Sequence, residues 1–241
     1  MDFELNQEQQ ALQETARRFA EVELPDVAKL IEKNDEPVGP EIVQRFSELG
    51  FLGVNLPEAY GGAGAKHLDA VLVLEELAKI SIAVAFPVFE SCFGPALAIA
   101  HFAPEELRRR VLPKVCSGDM MIAISMSEPN AGSALTDLTT TARIEGDSVI
   151  VNGQKRWCSG AGHADAYVVY CRISDEPGAR GIGAVLIEKD RAGFSFGKRE
   201  QHMGFRGIPS ADMFFDNVEV PIENLITAAG GFKQLMEAFD L

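Results

Sequence analysis

The sequence is short of positive charge. It has 22 Lys and Arg residues against 36 Asp and Glu residues, which gives a net charge of −14. A surface of that sign repels nucleic acid and anionic membranes, so we expect neither as a partner. The densest basic run, Arg108–Arg110, follows Glu105 and Glu106 on a predicted helix, which indicates a solvated and partly paired face.

Cysteine is also scarce, and the four cysteines have neither C-x-x-C spacing nor a nearby His at metal-ligand spacing, which excludes the common zinc motifs. A chain of 241 residues can build a sizeable core without disulfides. The acidic N-terminus lacks the pattern of a signal peptide. We expect reduced thiols and a cytoplasmic location. The cysteines are Cys92, Cys116, Cys158 and Cys171.

The familiar catalytic motifs are missing as well. There is no G-x-G-x-x-G after a strand, no P-loop, no H-E-x-x-H and no G-x-S-x-G. Gly178, Gly181 and Gly183 approach a glycine-rich pattern, but no helix follows them, which favours a turn. The four histidines are scattered, and each alone is more typical of a surface position than of a base or ligand.

Only one long apolar run is present, from Ile82 to Ala100. Pro87, Glu90 and Pro95 interrupt it, and basic flanks are missing. Such an interrupted segment is typical of helix buried in a soluble core rather than of a membrane span.

Residues 1–117 have helical patterns. Asn6 is a predicted N-cap with Gln9 at the capping-box position, and this helix is expected to end before Pro25. A connecting loop is predicted from Phe51 to Gly64. The further predicted helices are Pro40–Gly50, Leu68–Ile80, Ile82–Ala100 as a buried pair of turns, and Pro104–Val115.

The composition changes near residue 118. Short apolar or alternating runs follow, including Thr139–Glu145 and a continuation that we expect to end at Asn152-Gly153. A run of strands after a run of helices predicts separate domains, the second a small β-barrel or sandwich over 118–228. The other predicted strands are Met120–Ser127, Ala166–Arg172, Ile182–Lys189, Phe194–Phe196 and Asp212–Phe215.

Helical spacing returns from Pro221 onward, with Phe232, Leu235, Met236 and Phe239 on one face. The sequence stops at Leu241 in mid-pattern, so we expect residues 229–241 to be the truncated first helix of a further domain.

Two stretches are candidates for a binding site. Ile122–Ser133 is an apolar strand that runs into Ser127-Glu-Pro-Asn130 and a small-residue turn, which allows a ligand to approach the backbone. The only Trp, Trp157, follows in Lys155-Arg-Trp-Cys-Ser159. Alone, the first stretch could be an ordinary turn and the Trp an ordinary core residue. Together they fit a flavin, which needs an aromatic partner, hydrogen bonds at its polar edge, and backbone N–H groups for its pyrophosphate.

The chain resembles the acyl-CoA dehydrogenase family along its whole length. Met126-Ser-Glu-Pro-Asn-Ala-Gly-Ser133 resembles the family signature Thr-Glu-Pro-x-Ala-Gly-Ser-Asp, and Asn152-Gly-Gln-Lys-Arg-Trp157 resembles Asn-Gly-x-Lys-x-Trp. Further resemblances lie in Tyr60-Gly-Gly62, Met203-Gly-Phe-Arg206, Phe215-Asp-Asn-Val218 and Gly230-Gly-Phe232. The resemblance implies an α+β multidomain fold: an all-helical N-terminal domain over 1–117, a small β-barrel domain over 118–228, and the start of a C-terminal helical bundle.

The resemblance also implies a cofactor, FAD, and assigns residues to it. Met126 and Ser127 would meet the flavin ring, Trp157 would pack on it and Ser159 would hydrogen-bond near its reactive nitrogen. Gly132 and Ser133 would lie by the pyrophosphate, with Ser133 also on the substrate side. The full expected cofactor-binding set is Ile124, Met126, Ser127, Gly132, Ser133, Trp157, Cys158 and Ser159. For Cys158 taken alone, a partly buried bystander thiol is the default.

The reaction implied is α,β-dehydrogenation of an acyl-CoA thioester. A Glu carboxylate removes the α-proton while the β-hydride passes to FAD N5, and an electron-transfer flavoprotein takes the electrons. In this family the base comes from the bundle, so we expect it beyond Leu241 and leave the catalytic residue unassigned; Glu90 has no motif to support it. A homodimer or homotetramer is implied for the full-length protein.

The sequence departs from the family at Ala134, where Asp is usual, and at Asn130, where Gly is common. We expect an adjusted loop there and an unusual substrate. Two alternatives stay open: a flavin oxidase or monooxygenase on the same fold, or a non-catalytic partner subunit if the native chain ends at Leu241. Two interpretations also stay open for three residues of the long apolar run: they border the pocket for the acyl chain, or they are ordinary core residues. The three are Phe86, Val88 and Phe89.

Overall fold

A computed structural model describes residues 4–238. Helices occupy the first half of the chain and strands most of the second, as predicted. The helices are α1 (Gln7–Glu23), α2 (Pro25–Asn34), α3 (Pro40–Glu48), α4 (His67–Ile80), α5 (Ile82–Cys92), α6 (Pro95–Phe102), α7 (Glu105–Ser117) and α8 (Phe232–Glu237). The strands are β1 (Ile122–Ser125), β2 (Thr141–Glu145), β3 (Ser148–Ser159), β4 (Ala166–Arg172), β5 (Ile182–Glu188), β6 (Phe194–Phe196), β7 (Ser210–Pro221) and β8 (Leu225–Thr227).

Helix α1 begins as its sequence predicts. The Asn6 side chain accepts a hydrogen bond from the Gln9 backbone N–H at 2.8 Å, and the Gln9 side chain accepts one from the Asn6 N–H at 3.1 Å. The helix ends at Glu23, before Pro25. The sequence interpretation missed α2, which begins at Pro25 because proline is well accommodated in the first turn of a helix.

The apolar run from Ile82 forms two helices, α5 and α6, separated at Phe93 and Gly94. Within the described residues, Ile82–Phe102 is the one segment whose length and composition would allow it to cross a membrane, and 78% of its most apolar window is buried inside the fold. Its interpretation as core helix is confirmed. Residues of α5 pack among the helices, and those of α6 pack between α7 and the sheet.

The strands form an open sheet in the order β6-β7-β3-β2-β4-β5-β8, with β1 pairing in parallel with β4. The predicted β-sheet domain is confirmed, but the β-barrel expected there is not closed. The end strands β6 and β8 have three residues each, and β2 meets β4 only at Thr141 and Arg172, so the sheet divides there into two layers. One layer is β2-β3-β7-β6 and the other is β1-β4-β5-β8.

Strand β4 is apolar from Ala166 to Cys171, before its terminal Arg172, because both of its faces are covered there. Tyr167 and Val169 face the other sheet layer, whereas Val168 and Tyr170 face α6, α7 and α8. A strand buried on two faces has a continuous apolar sequence rather than an alternating one.

Two boundaries differ from the sequence prediction. Strand β3 continues through Asn152-Gly153 to Ser159, with a register shift at Gly153 in place of the predicted end. A Cβ at Gly153 would lie 2.6–2.9 Å from atoms of Thr140, and its φ is +144°, so glycine allows the strand to pass there. The predicted return to helix after Pro221 is a single 3₁₀ turn followed by β8. Of the predicted final helix, α8 is described, and Phe239 lies outside the described residues.

Candidate functional site

The first wall of the candidate site begins at the end of β1. This strand lies beside β4, and its last residue, Ser125, is buried, so the chain leaves the core at Met126 and Ser127. Glu128 and Ala131 then close a tight turn, in which the Glu128 N–H donates to the Ala131 carbonyl at 2.9 Å and the Ala131 N–H donates to the Glu128 carbonyl at 3.1 Å. The turn holds the small-residue segment in one conformation.

A buried ion pair ties this turn to β3. Lys155 Nζ donates to Glu128 Oε1 at 2.9 Å and to the Met126 carbonyl at 2.8 Å. The two side chains are 0% and 4% exposed. Thr139 donates to Glu128 Oε2 from its backbone N–H at 2.6 Å and from its hydroxyl at 2.8 Å, and the Thr140 N–H donates to Oε1 at 2.9 Å. The turn from Glu128 to Ala131, called the signature turn below, and strand β3 are therefore held together as one structural unit.

The electrostatics of this carboxylate follow from those contacts. Burial by itself would raise the pKa of Glu128, but the charge of Lys155 and hydrogen bonds from Thr139 and Thr140 lower it to about 2. Glu128 is therefore a charged structural anchor near neutral pH. Both of its carboxylate oxygens accept hydrogen bonds from groups of its own chain.

Trp157 is presented at the surface of the unit. The Arg156 N–H donates to the Ser127 carbonyl at 2.9 Å, which places the indole directly beside the signature turn. The indole is 60% exposed, its Nε1–H donates to Glu200 Oε1 at 3.1 Å, and the Arg156 guanidinium lies 5.5 Å from the ring centre. Arg156 in turn forms an ion pair with Asp212. An exposed but well-supported aromatic face is suited to stacking on a planar ligand.

A cavity of about 510 Å³ lies between this unit and helices α4 and α5. The β-sheet side carries five of the expected cofactor residues. The helical side is apolar apart from Glu90. The lining residues are Leu74, Ala78, Ile82, Ala85, Phe86, Phe89, Glu90, Ile124, Met126, Ser127, Trp157, Ser159 and Phe205.

The remaining expected residues lie elsewhere. Gly132 and Ser133 are exposed on the turn outside the cavity lining. Cys158 is buried in the core between the sheet layers, where its thiol donates to the Ile124 carbonyl at 3.3 Å. Burial raises the pKa of the Cys158 thiol to about 12. Its side chain therefore faces away from the site, and only its backbone is available to a ligand there.

The polar groups of the wall suit a cofactor such as the flavin. Within residues 4–238, the hydroxyls of Ser127, Ser133 and Ser159 make no hydrogen bond, so each is free to bind a ligand. A Cβ built at Gly132 would meet nothing within 4 Å, so the approach to the turn is open. The same described residues contain no group of three His, Cys, Asp or Glu side chains that could hold a metal.

Sequence reasoning set Glu90 aside, yet the structure places this residue on the cavity wall. The available signal was a lone carboxylate in an otherwise uncharged apolar run. Phe86 and Phe89 also line the cavity, whereas Val88 is buried in the helical core.

Comparison with known proteins identifies the two halves of the chain. Residues 6–119 match the N-terminal domain of acyl-CoA dehydrogenase, and residues 123–218 match its middle domain. The chain is 36% identical to the acryloyl-CoA reductase (NADH) of Anaerotignum propionicum, covering 100% of this chain and 61% of that protein. It is 33% identical to an acyl-CoA dehydrogenase of Bacillus subtilis, covering 96% of this chain and 61% of that protein.

The fold comparison agrees. A chain in the structure of the electron transferring flavoprotein of Acidaminococcus fermentans superposes with a TM-score of 0.92 at 34% identity, covering 100% of this chain and 63% of that one. This chain thus spans about 61% of the length of the curated relatives it matches. The chain belongs to the acyl-CoA dehydrogenase family and contains the N-terminal and middle domains of that family.

Proposed function

We propose that the full-length protein is an FAD-dependent enzyme that oxidises an acyl-CoA thioester between its α and β carbons. The observation that carries this proposal is the convergence on one cavity of two unpaired hydroxyls, Ser127 and Ser159, with the exposed indole of Trp157. Opposite them stands an apolar helical wall suited to an acyl chain. Family membership supports the same chemistry.

Different residues of this chain would bind different parts of the FAD cofactor. Ser127 and Ser159 offer hydrogen bonds to the polar edge of the ring, with Ile124 and Met126 beside it, and Trp157 packs on the ring. Gly132 and Ser133 take the pyrophosphate at the exposed turn, and Ser133 also contacts the substrate. The Cys158 backbone completes the set. When bound, FAD supplies the hydride acceptor for the reaction.

The helices α4 and α5 would bind the acyl chain and keep water from the reacting carbons. We place the carboxylate that removes the α-proton in a part of the full-length protein outside residues 1–241. We also propose the domain limits 1–117, 118–228 and 229–241, a homodimeric or homotetrameric assembly, an electron-transfer flavoprotein as acceptor, and a cytoplasmic location.

The proposal is tested on the full-length protein. It is expected to purify yellow and to lose its flavin absorbance when an acyl-CoA is added without oxygen. A Trp157→Ala variant should retain less FAD, whereas Phe214→Ala, a half-exposed aromatic on β7 away from the cavity lining, serves as a matched control. A colourless full-length protein, or a yellow one that no acyl-CoA bleaches, contradicts the proposal.

A second candidate is reduction of an enoyl-CoA on the same site, and it is favoured by the 36% identical relative named acryloyl-CoA reductase (NADH). The two directions are separated by supplying NADH and an enoyl-CoA to the full-length protein, with and without an electron-transfer flavoprotein. Net formation of saturated acyl-CoA supports the reductase. In a parallel reaction that contains a saturated acyl-CoA in place of NADH and the enoyl-CoA, reduction of the electron-transfer flavoprotein supports the dehydrogenase.

A further inference from the structure

Glu90 is an anomaly of the cavity wall. It lies on α5, is 4% exposed, and its Oε2 atom has no hydrogen-bond partner within the described part of the chain. Buried carboxyl oxygens are normally paired, and leaving one unpaired costs about 1–3 kcal/mol. Glu76 and Glu128, the other glutamates that are buried within residues 4–238, both have cationic partners.

The surroundings of Glu90 explain why no protein group satisfies it. The other helical residues that line the 510 Å³ cavity are apolar, among them Phe86 and Phe89. Glu90 also borders a second cavity of about 330 Å³, where His163, Asp165 and Lys189 lie. Lys189 is already paired with Asp165 at 2.9 Å.

The protonation state of Glu90 follows from this isolation. Burial raises its pKa to about 8, so near neutral pH the group is mainly a neutral acid that can both donate and accept a hydrogen bond. A cationic ligand would have to lose its hydration in an apolar cavity without meeting a full opposite charge. A hydroxyl group, which donates and accepts, pairs with Glu90 in either protonation state.

We propose that Glu90 determines specificity by hydrogen-bonding a hydroxyl group on the acyl chain of the substrate. An unsubstituted acyl chain would leave the Glu90 carboxyl group without a hydrogen-bond partner, whereas a hydroxyl group on the chain would supply one. Sites built to hydrogen-bond a ligand hydroxyl discriminate strongly against the analogue that lacks it. This inference rests on the proposed function, because it takes the cavity to be the acyl site.

The test uses full-length, FAD-loaded protein and enoyl-CoA products, which bind the oxidised enzyme without turnover. Ligands of four to eight carbons are compared in pairs, with and without a hydroxyl at the chain end, by the change they cause in flavin absorbance. We expect the hydroxylated ligand to bind about tenfold more tightly at one or more chain lengths. Glu90→Gln should retain this preference, because an amide also donates and accepts. Glu90→Met should abolish it.

Two controls keep the result interpretable. Glu106→Met, at an exposed position on α7, should leave the preference unchanged. Without ligand, Glu90→Met should melt at the wild-type temperature or above it, because it removes an unpaired buried carboxyl. A yellow, acyl-CoA-reducible enzyme with no hydroxyl preference at any length, or a Glu90→Met variant that keeps the preference, overturns this inference alone. A colourless protein overturns the proposed function with it.

Discussion

Two buried glutamates on either side of the candidate site differ in almost every respect except burial. Glu128, behind the sheet wall, has Lys155, Thr139 and Thr140 around its two oxygens, and its pKa falls to about 2. Glu90, on the helical wall, has an unpaired oxygen, and its pKa rises to about 8. As whole residues, Glu128 and Glu90 are 6% and 4% exposed.

Burial alone therefore does not set the protonation state of a carboxyl group. Glu128 is satisfied by its own chain and supports the signature turn, whereas Glu90 is left for a ligand. Glu128 belongs to the structural scaffold, and Glu90 belongs to the wall of the cavity.

The largest effect is expected for Lys155→Met. The substitution leaves Glu128 buried without its cation and removes the bond to the Met126 carbonyl. Breaking a buried pair from one side costs about 3–5 kcal/mol of unfolding free energy, measured by urea denaturation. Lys189→Met is the matched control, because its ion pair with Asp165 is half exposed and should cost about 1 kcal/mol or less. Equal losses in the two variants would show that the anchor is not structural.

The pH dependence of stability tests Glu90 directly. Its folded pKa of about 8 lies above the ordinary 4.5, so its favourable contribution is complete below pH 4.5 and is lost as pH rises towards 8. Between those values it lowers the unfolding free energy by about 1.4 kcal/mol per pH unit. The stability of Glu90→Gln should fall less steeply from pH 5 to 8. Parallel curves for the variant and the wild type would contradict the raised pKa.

Substitutions at two glycines distinguish a structural position from a position in the proposed FAD-binding surface. Gly153→Ala places a Cβ against Thr140 at a positive φ, and we expect a loss of about 2 kcal/mol in urea denaturation. Gly132→Ala meets open space, so stability should stay within about 0.5 kcal/mol of wild type while FAD affinity drops about tenfold. Unchanged FAD affinity in Gly132→Ala would remove this turn from the cofactor site.

The smallest effect is expected for Ser127→Ala, which removes one unpaired hydroxyl from the cavity wall. Loss of a single hydrogen bond to FAD, about 1 kcal/mol, should weaken FAD binding roughly fivefold, as measured by flavin titration of the apoprotein. Ser195→Ala on β6, exposed and remote from the cavity lining, should bind FAD like the wild type. A Ser127→Ala variant indistinguishable from that control would contradict the assignment.

Local signals in the sequence predicted much of this fold. The Asn6–Gln9 capping box and the apolar run of β4 depend on neighbouring residues alone, and both appear as expected. The open sheet was not predictable, because closure into a barrel depends on whether the end strands β6 and β8, which are separated along the chain, pair with each other. Likewise, Asn152-Gly153 is a turn signal that tertiary pairing of β3 with β7 overrides.

The candidate site, like the fold, was predictable from the sequence only in part. Ser127 and Trp157 were predicted from neighbouring motifs, and the structure brings them together through the Arg156 N–H and Ser127 carbonyl. Glu90 could not be assigned, because its meaning depends on the absence of partners from α4, β1 and β3, which only the packed structure reveals.

The most direct test of the central claim is an experimental structure of the full-length protein with FAD bound. We expect the flavin ring to lie against Met126, Ser127 and Trp157, with the pyrophosphate at Gly132 and Ser133. A flavin bound elsewhere, with this wall facing solvent or another protein segment, would contradict the account.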